Sequence, residues 1–291
     1  MKYADRFGNI TEDDNGQDRL LRWMYTTVPG RIIVRILVNP VISKIGGRVM
    51  SSKISALAIP SFCRANNIDM SQYEEKEFSS YNEFFIRKIK KDKRPVDMCS
   101  EHVISPCDSK LSIYKINSDT SFNIKNTRYT VGQLLKDKKL AKHYEGGYAC
   151  VFRLTVDDYH RYCYIDNGVQ GKSRFIKGVL HTVNPVANDV YPIYKENCRE
   201  YSILKSDNFG RVLMMEVGAL MIGKIVNYRN NCQVKKGQEK GRFEFGGSTV
   251  VLLFEKNSII PDEDIINNTN NNCETKVKMG EKFARAAKKQ L

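Results

Sequence analysis

From about residue 103 onward the chain is a succession of short runs rich in Val, Ile, Tyr and Phe, separated by Gly, Asn and Asp. These runs include HVISP, KLSIYKI, ACVFRLTV, RVLMMEVGALMIGKIV and RFEFGGSTVVLLFEK. Short apolar runs separated by turn-forming residues are typical of a compact β-rich domain. We expect one helical insertion around TVGQLLKDKKLAKHY, a polar loop over residues 267–272, and a short basic helix over the segment EKFARAAKKQL near the end.

The first part of the chain has a different character. Between Arg19 and Met70 the only acidic residue is Asp69. Cations alternate there with apolar residues at helix-like spacing, as in RIIVRILVNPVISKI; they are Arg19, Arg22, Arg31, Arg35, Lys44, Arg48, Lys53 and Arg64. The apolar run is too short and too charged to span a bilayer, which needs about 20 apolar residues. It suits helices lying in a lipid interface, with a basic helical bundle packed on its own core as the alternative.

The fold class predicted from these two parts is α+β. Residues 1–77 are expected to form a basic amphipathic helical membrane-associating region, and residues 78–291 a β-rich domain. The net charge of +14 over 291 residues indicates an anionic partner, either a membrane surface or a nucleic acid. Because no helix-turn-helix, zinc-finger or RNA-binding aromatic pattern accompanies the charge, the membrane is favoured and no nucleic acid is expected.

The cysteines are scattered, and their spacing indicates neither a disulfide framework nor a metal site. There are eight, none in a CxxC pair, and the N-terminal segment MKYADRFGNITEDDNGQD is too polar for a signal peptide. Free thiols in a reducing cytosol are therefore expected. No metal ion is predicted, although scattered ligands can still meet in a fold.

The segment FEFGGSTVV holds a Gly-Ser bond, Gly247–Ser248, between two strand-like runs. In a strained turn the Ser248 hydroxyl can attack the Gly247 carbonyl, which glycine leaves approachable because it has no Cβ. The resulting ester can eliminate to dehydroalanine, which hydrolyses to an N-terminal pyruvoyl group. Such a ketone can form a Schiff base with an amine and accept electrons as CO2 leaves. Most Gly-Gly-Ser-Thr segments are ordinary hairpin turns, so these residues alone do not decide the question.

Separated motifs elsewhere in the chain resemble those of the phosphatidylserine decarboxylase family. KKGQEKGRFEFGGSTVVLLF is similar to that family's C-terminal cleavage signature, and the other blocks follow in the family's order over roughly residues 78–256. These blocks are YNEFFIRKIKKDKRPV, ISPCDSKL, LTVDDYHRYCYIDNGV, GVLHTVNPVA, ENCREYSIL and MEVGALMIGKI. The last of them reads as an apolar core strand and needs no catalytic role.

The resemblance implies a pyruvoyl-dependent proenzyme whose catalytic domain spans residues 78–291. Self-cleavage between Gly247 and Ser248 would give a β chain, 1–247, and an α chain, 248–291, held together as a heterodimer. The pyruvoyl group derived from Ser248 would be the only cofactor, and it would bind phosphatidylserine through a Schiff base. Loss of CO2 would give phosphatidylethanolamine, in phospholipid biosynthesis. The expected location is the cytoplasmic side of the cell membrane, peripherally attached to its anionic surface.

The family's self-cleavage residues are a serine, an aspartate and a histidine, and this chain departs at the histidine. Ser248 matches the serine, and Asp108 matches the aspartate that orients the base. Many members have two histidines three residues apart. Here His160 matches the first, an acid-base candidate for decarboxylation, while Cys163 stands at the second. Three alternatives follow: His160 serves both steps, Cys163 acts as a thiolate base, or self-cleavage is slow or lost.

Two further functions remain open on the sequence. A diverged paralogue would decarboxylate another amine-bearing acid or process itself poorly, and Cys163 is the main reason to consider it. A non-catalytic basic protein that binds membrane or nucleic acid would remain an intact chain of about 33.4 kDa. A second, milder departure from the family pattern is Ser109, which stands where the family prefers glycine after the aspartate.

Overall fold

The computed structural model describes residues 2–12, 16–75, 77–124, 127–188, 190–219, 224–244 and 248–287. The architecture is α+β and rich in strands after residue 100, as the sequence predicts. The strands are β1 Lys2–Ala4, β2 Ile10–Glu12, β3 His102–Ile104, β4 Ser109–Lys115, β5 Ser121–Ile124, β6 Thr127–Thr130, β7 Tyr148–Leu154, β8 Arg161–Cys163, β9 Gly168–Gln170, β10 Arg174–Ile176, β11 Arg199–Ser206, β12 Gly210–Val217, β13 Lys224–Asn227, β14 Cys232–Val234, β15 Glu239–Glu244, β16 Ser248–Phe254, β17 Ile259–Pro261, β18 Glu274–Val277 and β19 Lys282–Ala286.

The largest sheet in the described part of the chain has eleven strands. Its order is β14-β9-β11-β12-β16-β7-β4-β18-β1-β2, with β10 paired to β11. Strand β16 lies near the middle, antiparallel to β12 on one side and to β7 on the other. Three smaller sheets have the orders β13-β15-β8, β17-β19-β3 and β5-β6.

Hydrophobic cores cover both faces of the large sheet, which explains why its central strands are apolar throughout. Successive side chains on a strand point to opposite faces. On β16, Val251 and Leu253 accordingly belong to one core, while Val250, Leu252 and Phe254 belong to the other. Burial on both sides fixes the register of this strand and therefore the position of its first residue.

The helices before residue 66 are α1 Gly16–Thr26, α2 Val28–Leu37, α3 Pro40–Met50 and α4 Ile59–Ala65. Two of these helices start at caps that are readable in the sequence. The Thr27 side chain accepts a hydrogen bond from Gly30 N, and the Asn39 side chain accepts one from Val41 N. Gly30 also lets α1 and α2 meet closely, since a Cβ there would lie 2.6 Å from the backbone of Met24.

The later helices are short and follow the sheet connections. They are α5 Tyr81–Phe85, α6 Val131–Leu135, α7 Lys138–Ala141, α8 Pro185–Asn188, α9 Ile193–Glu196 and α10 Glu263–Asn270. The predicted helical insertion is confirmed, since it corresponds to α6, α7 and a 3₁₀ turn at Lys142–Tyr144.

Two predictions for the end of the chain are wrong. The expected polar loop at 267–272 is largely the last turn of α10, which has acidic residues at its N-terminal end and buries Ile265. The expected basic helix contains strand β19, paired with β3 and β17. Its Phe283 is completely buried, so tertiary contacts override the helical propensity of the segment. Residues 288–291 of that segment lie outside the described residues.

All eight cysteines are free thiols, as predicted from their spacing. Within the described ranges, no helix has the length and apolar content that crossing a bilayer requires.

Candidate active site

Ser248 is the first residue of the central strand β16. It pairs with Leu154, the last residue of β7. The Ser248 side chain is buried, and its Oγ has no hydrogen-bond partner among the described residues. A buried hydroxyl normally has a partner, so one without is a mark of a reactive or ligand-binding position. Gly247, the other half of the predicted cleavage bond, lies outside the described residues.

His160 lies in the loop that follows β7. This loop begins after Leu154, the residue of β7 that pairs with Ser248. Its Nδ1 is 2.9 Å from the Asp158 carbonyl oxygen, so Nδ1 is assigned as the protonated nitrogen and donates. The other nitrogen, Nε2, is buried with no hydrogen-bond partner in the described ranges. The Phe85 ring covers the imidazole at 4.0 Å between centroids. His160 therefore presents an unprotonated, unengaged nitrogen.

The charge state of His160 follows from this burial. Burial lowers the pKa of His160 to about 3; the carboxylate of Asp158 opposes that effect and the positive charge of Arg87 adds to it. At neutral pH the imidazole is thus uncharged. Its backbone oxygen also accepts a hydrogen bond of 2.9 Å from Phe243 N, in the strand that precedes Ser248 in the chain.

Asp158 anchors the loop that carries His160. Its carboxylate accepts hydrogen bonds from Thr155 N at 2.7 Å and Lys110 Nζ at 2.8 Å. Lys110 is itself buried on β4, so the ion pair joins the loop to the sheet. A buried ion pair of this kind adds little to the net stability of the fold. It does fix the geometry of the loop, because breaking the pair would leave a buried charge without a partner.

The structure does not join Asp108 to His160. Both Asp108 oxygens are bound by Arg94, at 2.5–3.0 Å, and Oδ1 also accepts from Met279 N at 2.8 Å. The sequence indicated the aspartate but not this arginine, although Arg94 belongs to the Arg-Pro pair of the motif YNEFFIRKIKKDKRPV. The carboxylate is held from two chain segments far apart in sequence.

Cys163, and not His160, lies beside the turn that carries Asp108. Its backbone N donates to Pro106 O at 2.8 Å, and its Sγ is 4.0 Å from Ser105 O. Burial raises the pKa of the Cys163 thiol to about 12, so the thiolate is a minor species at neutral pH. Ser109, the second departure from the family pattern, begins β4 and does not have the positive φ that would require glycine.

Sequence reasoning missed a buried ion pair next to this region. Lys240 Nζ donates to Glu216 Oε1 at 2.7 Å, and both side chains are fully buried. Asn227 bonds to both of them. The segment MEVGALMIGKI reads as an apolar core strand. The one acidic residue inside it, Glu216, is the sequence signal that could have revealed this ion pair. Glu216 pairs with Val250, so its side chain shares a sheet face with that of Ser248.

The described residues contain no group of three or more His, Cys, Asp or Glu side chains able to hold a metal ion.

Comparison with known proteins assigns the chain to a family. A sequence model described as phosphatidylserine decarboxylase matches residues 81–285. The chain is 49% identical over 270 residues to phosphatidylserine decarboxylase proenzyme 2 of Clostridium acetobutylicum, covering 92% of this chain and 91% of that protein. It is 41% identical over 273 residues to the proenzyme of Clostridium tetani, with 92% of each covered. It is 38% identical over 290 residues to that of Fusobacterium nucleatum, with 97% of each covered. The chain belongs to the phosphatidylserine decarboxylase family.

Proposed function

We propose that this protein is a proenzyme that cleaves itself between Gly247 and Ser248 and then converts phosphatidylserine into phosphatidylethanolamine as a carboxy-lyase. The observation that carries the proposal is the buried Ser248 Oγ at the start of the central strand, which has no hydrogen-bond partner in the described part of the chain, in a protein of this family. The relatives are named as proenzymes of this decarboxylase, which supports both processing and substrate.

The surroundings of Ser248 fit a pyruvoyl group formed from that residue. The position is buried and pairs with Leu154 of β7, and the next residue, Thr249, pairs with Val217 of β12, so a ketone there would be held rigidly. When present, the group supplies an electrophilic carbonyl that captures the substrate amine and accepts the electrons released with CO2. The protein supplies position, exclusion of water and proton transfer.

His160 is the proposed acid-base residue. Its neutral imidazole has an Nε2 with no hydrogen-bond partner among the residues that the structure describes, and we assign proton transfer to this nitrogen; the anchored loop keeps its orientation. Asp108 is proposed as the orienting carboxylate of self-cleavage. The support for Asp108 is its burial in a turn that lies beside Cys163. The variants described below test whether His160 or Cys163 is the base of self-cleavage.

The two cleavage products are proposed to stay together as a heterodimer. Residues 248–287 supply β16 between β12 and β7, β18 between β4 and β1, and β19 between β17 and β3. Across the predicted break, Arg153 pairs with Glu274 at 2.5–2.9 Å in a largely buried site. Cutting one peptide bond would leave all of these contacts in place.

The helices α1–α3 and the 3₁₀ turn that follows them are proposed to lie on an anionic membrane surface. Eleven large apolar side chains between residues 20 and 57 are exposed; they are Leu20, Trp23, Val28, Ile32, Ile33, Ile36, Val41, Ile45, Val49, Ile54 and Leu57. Seven cations between residues 19 and 64 are exposed as well; they are Arg19, Arg22, Arg31, Arg35, Arg48, Lys53 and Arg64. Apolar insertion together with attraction to anionic head groups attaches a protein without a spanning helix.

From this surface we propose peripheral attachment on the cytoplasmic side of the cell membrane, where the anionic substrate would be met. The boundary near residue 77, between the membrane-associating region and the decarboxylase domain, is proposed on the same basis. A second candidate, a poorly processing paralogue, is supported by Cys163 at the position of the second histidine.

The test is the state of the purified chain. The wild type should separate under denaturing conditions into two pieces, and mass spectrometry should find a pyruvoyl group at position 248 of the smaller one. Ser248→Ala should remain one chain, and only the cleaved protein should release CO2 from phosphatidylserine. A folded wild type that stays uncut would contradict the proposal and favour the non-catalytic alternative.

A further inference from the structure

Arg87 is a buried cation next to His160, and its charge has no acidic partner among the described residues. The side chain is 2% exposed. A buried charge without an ion of opposite sign is unfavourable, because it has lost its hydration and gained no Coulombic attraction in return. An arginine kept in this state is therefore a candidate for binding an anion that arrives with a ligand.

The hydrogen bonds of the Arg87 guanidinium are long and all its partners are neutral. Nη1 donates to Phe84 O at 3.2 Å, and Nη2 donates to the Tyr73 hydroxyl at 3.2 Å and to Asp157 O at 3.5 Å. The remaining nitrogen, Nε, is buried and has no partner in the described part of the chain. Typical bonds of this type are near 2.9 Å, so the donors of Arg87 are only weakly engaged.

Two aromatic rings hold the guanidinium in a fixed plane. Its central carbon lies 4.3 Å from the Tyr73 ring centroid and 4.5 Å from that of Phe84. Rings over the faces of a guanidinium leave its edges for hydrogen bonding. The planar fork of N–H donors at those edges is the geometry that recognises carboxylates and phosphates in a bidentate manner.

The other buried arginines in the described structure are satisfied differently. Arg153 pairs with Glu274, and Arg161 pairs with Glu239 at 2.7 Å. Arg199 has no carboxylate either, but it makes close bonds of 2.7 and 2.8 Å to backbone carbonyls. Arg87 combines the absence of a carboxylate with the absence of any bond shorter than 3.2 Å.

Arg87 belongs to the same packed unit as His160. The ring of Phe85, two residues earlier, covers the His160 imidazole. The carbonyl of Ile86 accepts two hydrogen bonds from Arg161, the residue after His160, at 2.6 and 2.9 Å. The charge of Arg87 therefore lies close to the proposed acid-base residue, where a substrate head group would be bound.

We propose that Arg87 binds the phosphodiester of the phosphatidylserine head group, an inference that rests on the proposed decarboxylase function. The head group carries two anions, but only the phosphodiester keeps its charge through the reaction. A guanidinium on the carboxylate would stabilise the ground state and oppose its departure as CO2. A contact between the Arg87 guanidinium and the phosphodiester binds the substrate without opposing the loss of CO2.

The experiment compares two soluble substrates with the same ammonium and carboxylate groups. Glycerophosphoserine contains the phosphodiester, and O-(2,3-dihydroxypropyl)serine has an ether in its place. Cleaved wild type should prefer glycerophosphoserine by at least about tenfold in kcat/KM. Arg87→Lys and Arg87→Gln should lower kcat/KM for glycerophosphoserine by about 10- to 100-fold, mainly through KM, and change the ether by less than about threefold.

Arg199→Lys is the matched control, since it alters another buried arginine and should affect both substrates equally. Equal losses on both substrates in the Arg87 variants would overturn the proposal, as would equal use of the two substrates by wild type. The wild-type comparison stands even if the variants fail to fold. Cleaved wild type that releases CO2 from neither these substrates nor phosphatidylserine would overturn the decarboxylase function itself, and with it the role of Arg87.

Discussion

Arg94 and Asp108 form a bidentate pair in which the guanidinium binds both carboxylate oxygens, at 2.5–3.0 Å. The proposed orienting carboxylate of self-cleavage is therefore held by an arginine rather than by His160. If Asp108 has this role, Arg94 is a positioning residue, because its guanidinium determines the orientation of the Asp108 carboxylate. The first prediction follows from this pair.

Asp108→Asn should slow self-cleavage by about 100-fold, the scale of a lost acid-base contribution. Arg94→Lys should slow it less, since lysine keeps the charge but loses the bidentate geometry. The measurement is the rate at which freshly folded full-length chain disappears on denaturing gels. Asp119→Asn, in an exposed pair with Arg128, is the control. Wild-type cleavage rates in Asp108→Asn would remove this carboxylate from the mechanism.

Cys163→Ser should leave self-cleavage close to wild type, because the thiol pKa of about 12 leaves little thiolate to lose. Cys163→His should speed maturation, since an imidazole is a far better base at neutral pH. The same gel assay distinguishes them, with Cys150→Ser as a control for changing a buried cysteine. A large loss in Cys163→Ser alone would show that the thiolate is the base after all.

Acidification should destabilise the fold through His160. Its pKa is about 3 in the folded chain and near 6.5 when unfolded, so the unfolded state binds the proton more tightly. The free energy of unfolding should be fully retained above about pH 6.5 and should fall as the pH drops from there towards 3. Urea unfolding of the uncut Ser248→Ala protein at a series of pH values measures the slope. His160→Gln should flatten it in part; the remainder comes from His181, whose pKa burial lowers to about 4, and from carboxylates whose pKa the fold lowers, such as Asp158 and Asp97. An unchanged slope would contradict the assignment.

Glu274→Gln should weaken the association of the two cleavage products, because the substitution leaves the buried Arg153 charge unpaired. The expected loss is about 3 kcal/mol of unfolding free energy, typical of breaking a buried ion pair from one side. Denaturant unfolding of the cleaved protein, with size-exclusion detection of released small chain, measures it. Glu12→Gln, in the exposed pair with Lys2, should have no measurable effect. Equal behaviour of the two variants would refute the stabilising role of Arg153–Glu274.

Replacing Arg31, Arg35 and Arg48 with Gln should reduce binding to anionic vesicles and leave self-cleavage intact. Each exposed cation near an anionic surface contributes on the order of 1 kcal/mol, and salt screens that contribution. Co-sedimentation with vesicles of varied anionic content and salt is the measurement. Ile54→Ser with Leu57→Ser tests the apolar contribution, since both side chains are about four-fifths exposed. Equal pelleting with neutral and anionic vesicles would contradict the electrostatic part.

Some features were determined by the sequence alone because they are local or depend on motif order. The Gly247–Ser248 bond, the strand runs around it and the basic helices before residue 66 follow from residue type and periodicity. Their caps at Thr27 and Asn39 are equally local. Periodicity also indicated the helical insertion around residues 131–144.

Only the tertiary structure decided which distant groups meet. It made a strand of the segment around Phe283, paired Asp108 with Arg94 and joined Glu216 to Lys240. Among the described residues it left Arg87 without an acidic partner. Helical periodicity is a property of neighbouring residues, whereas strand pairing and buried ion pairs join segments that sequence spacing does not connect. The energy of a buried charge depends on the group that the fold places beside it, and for that reason the charges around the site were settled by three-dimensional packing.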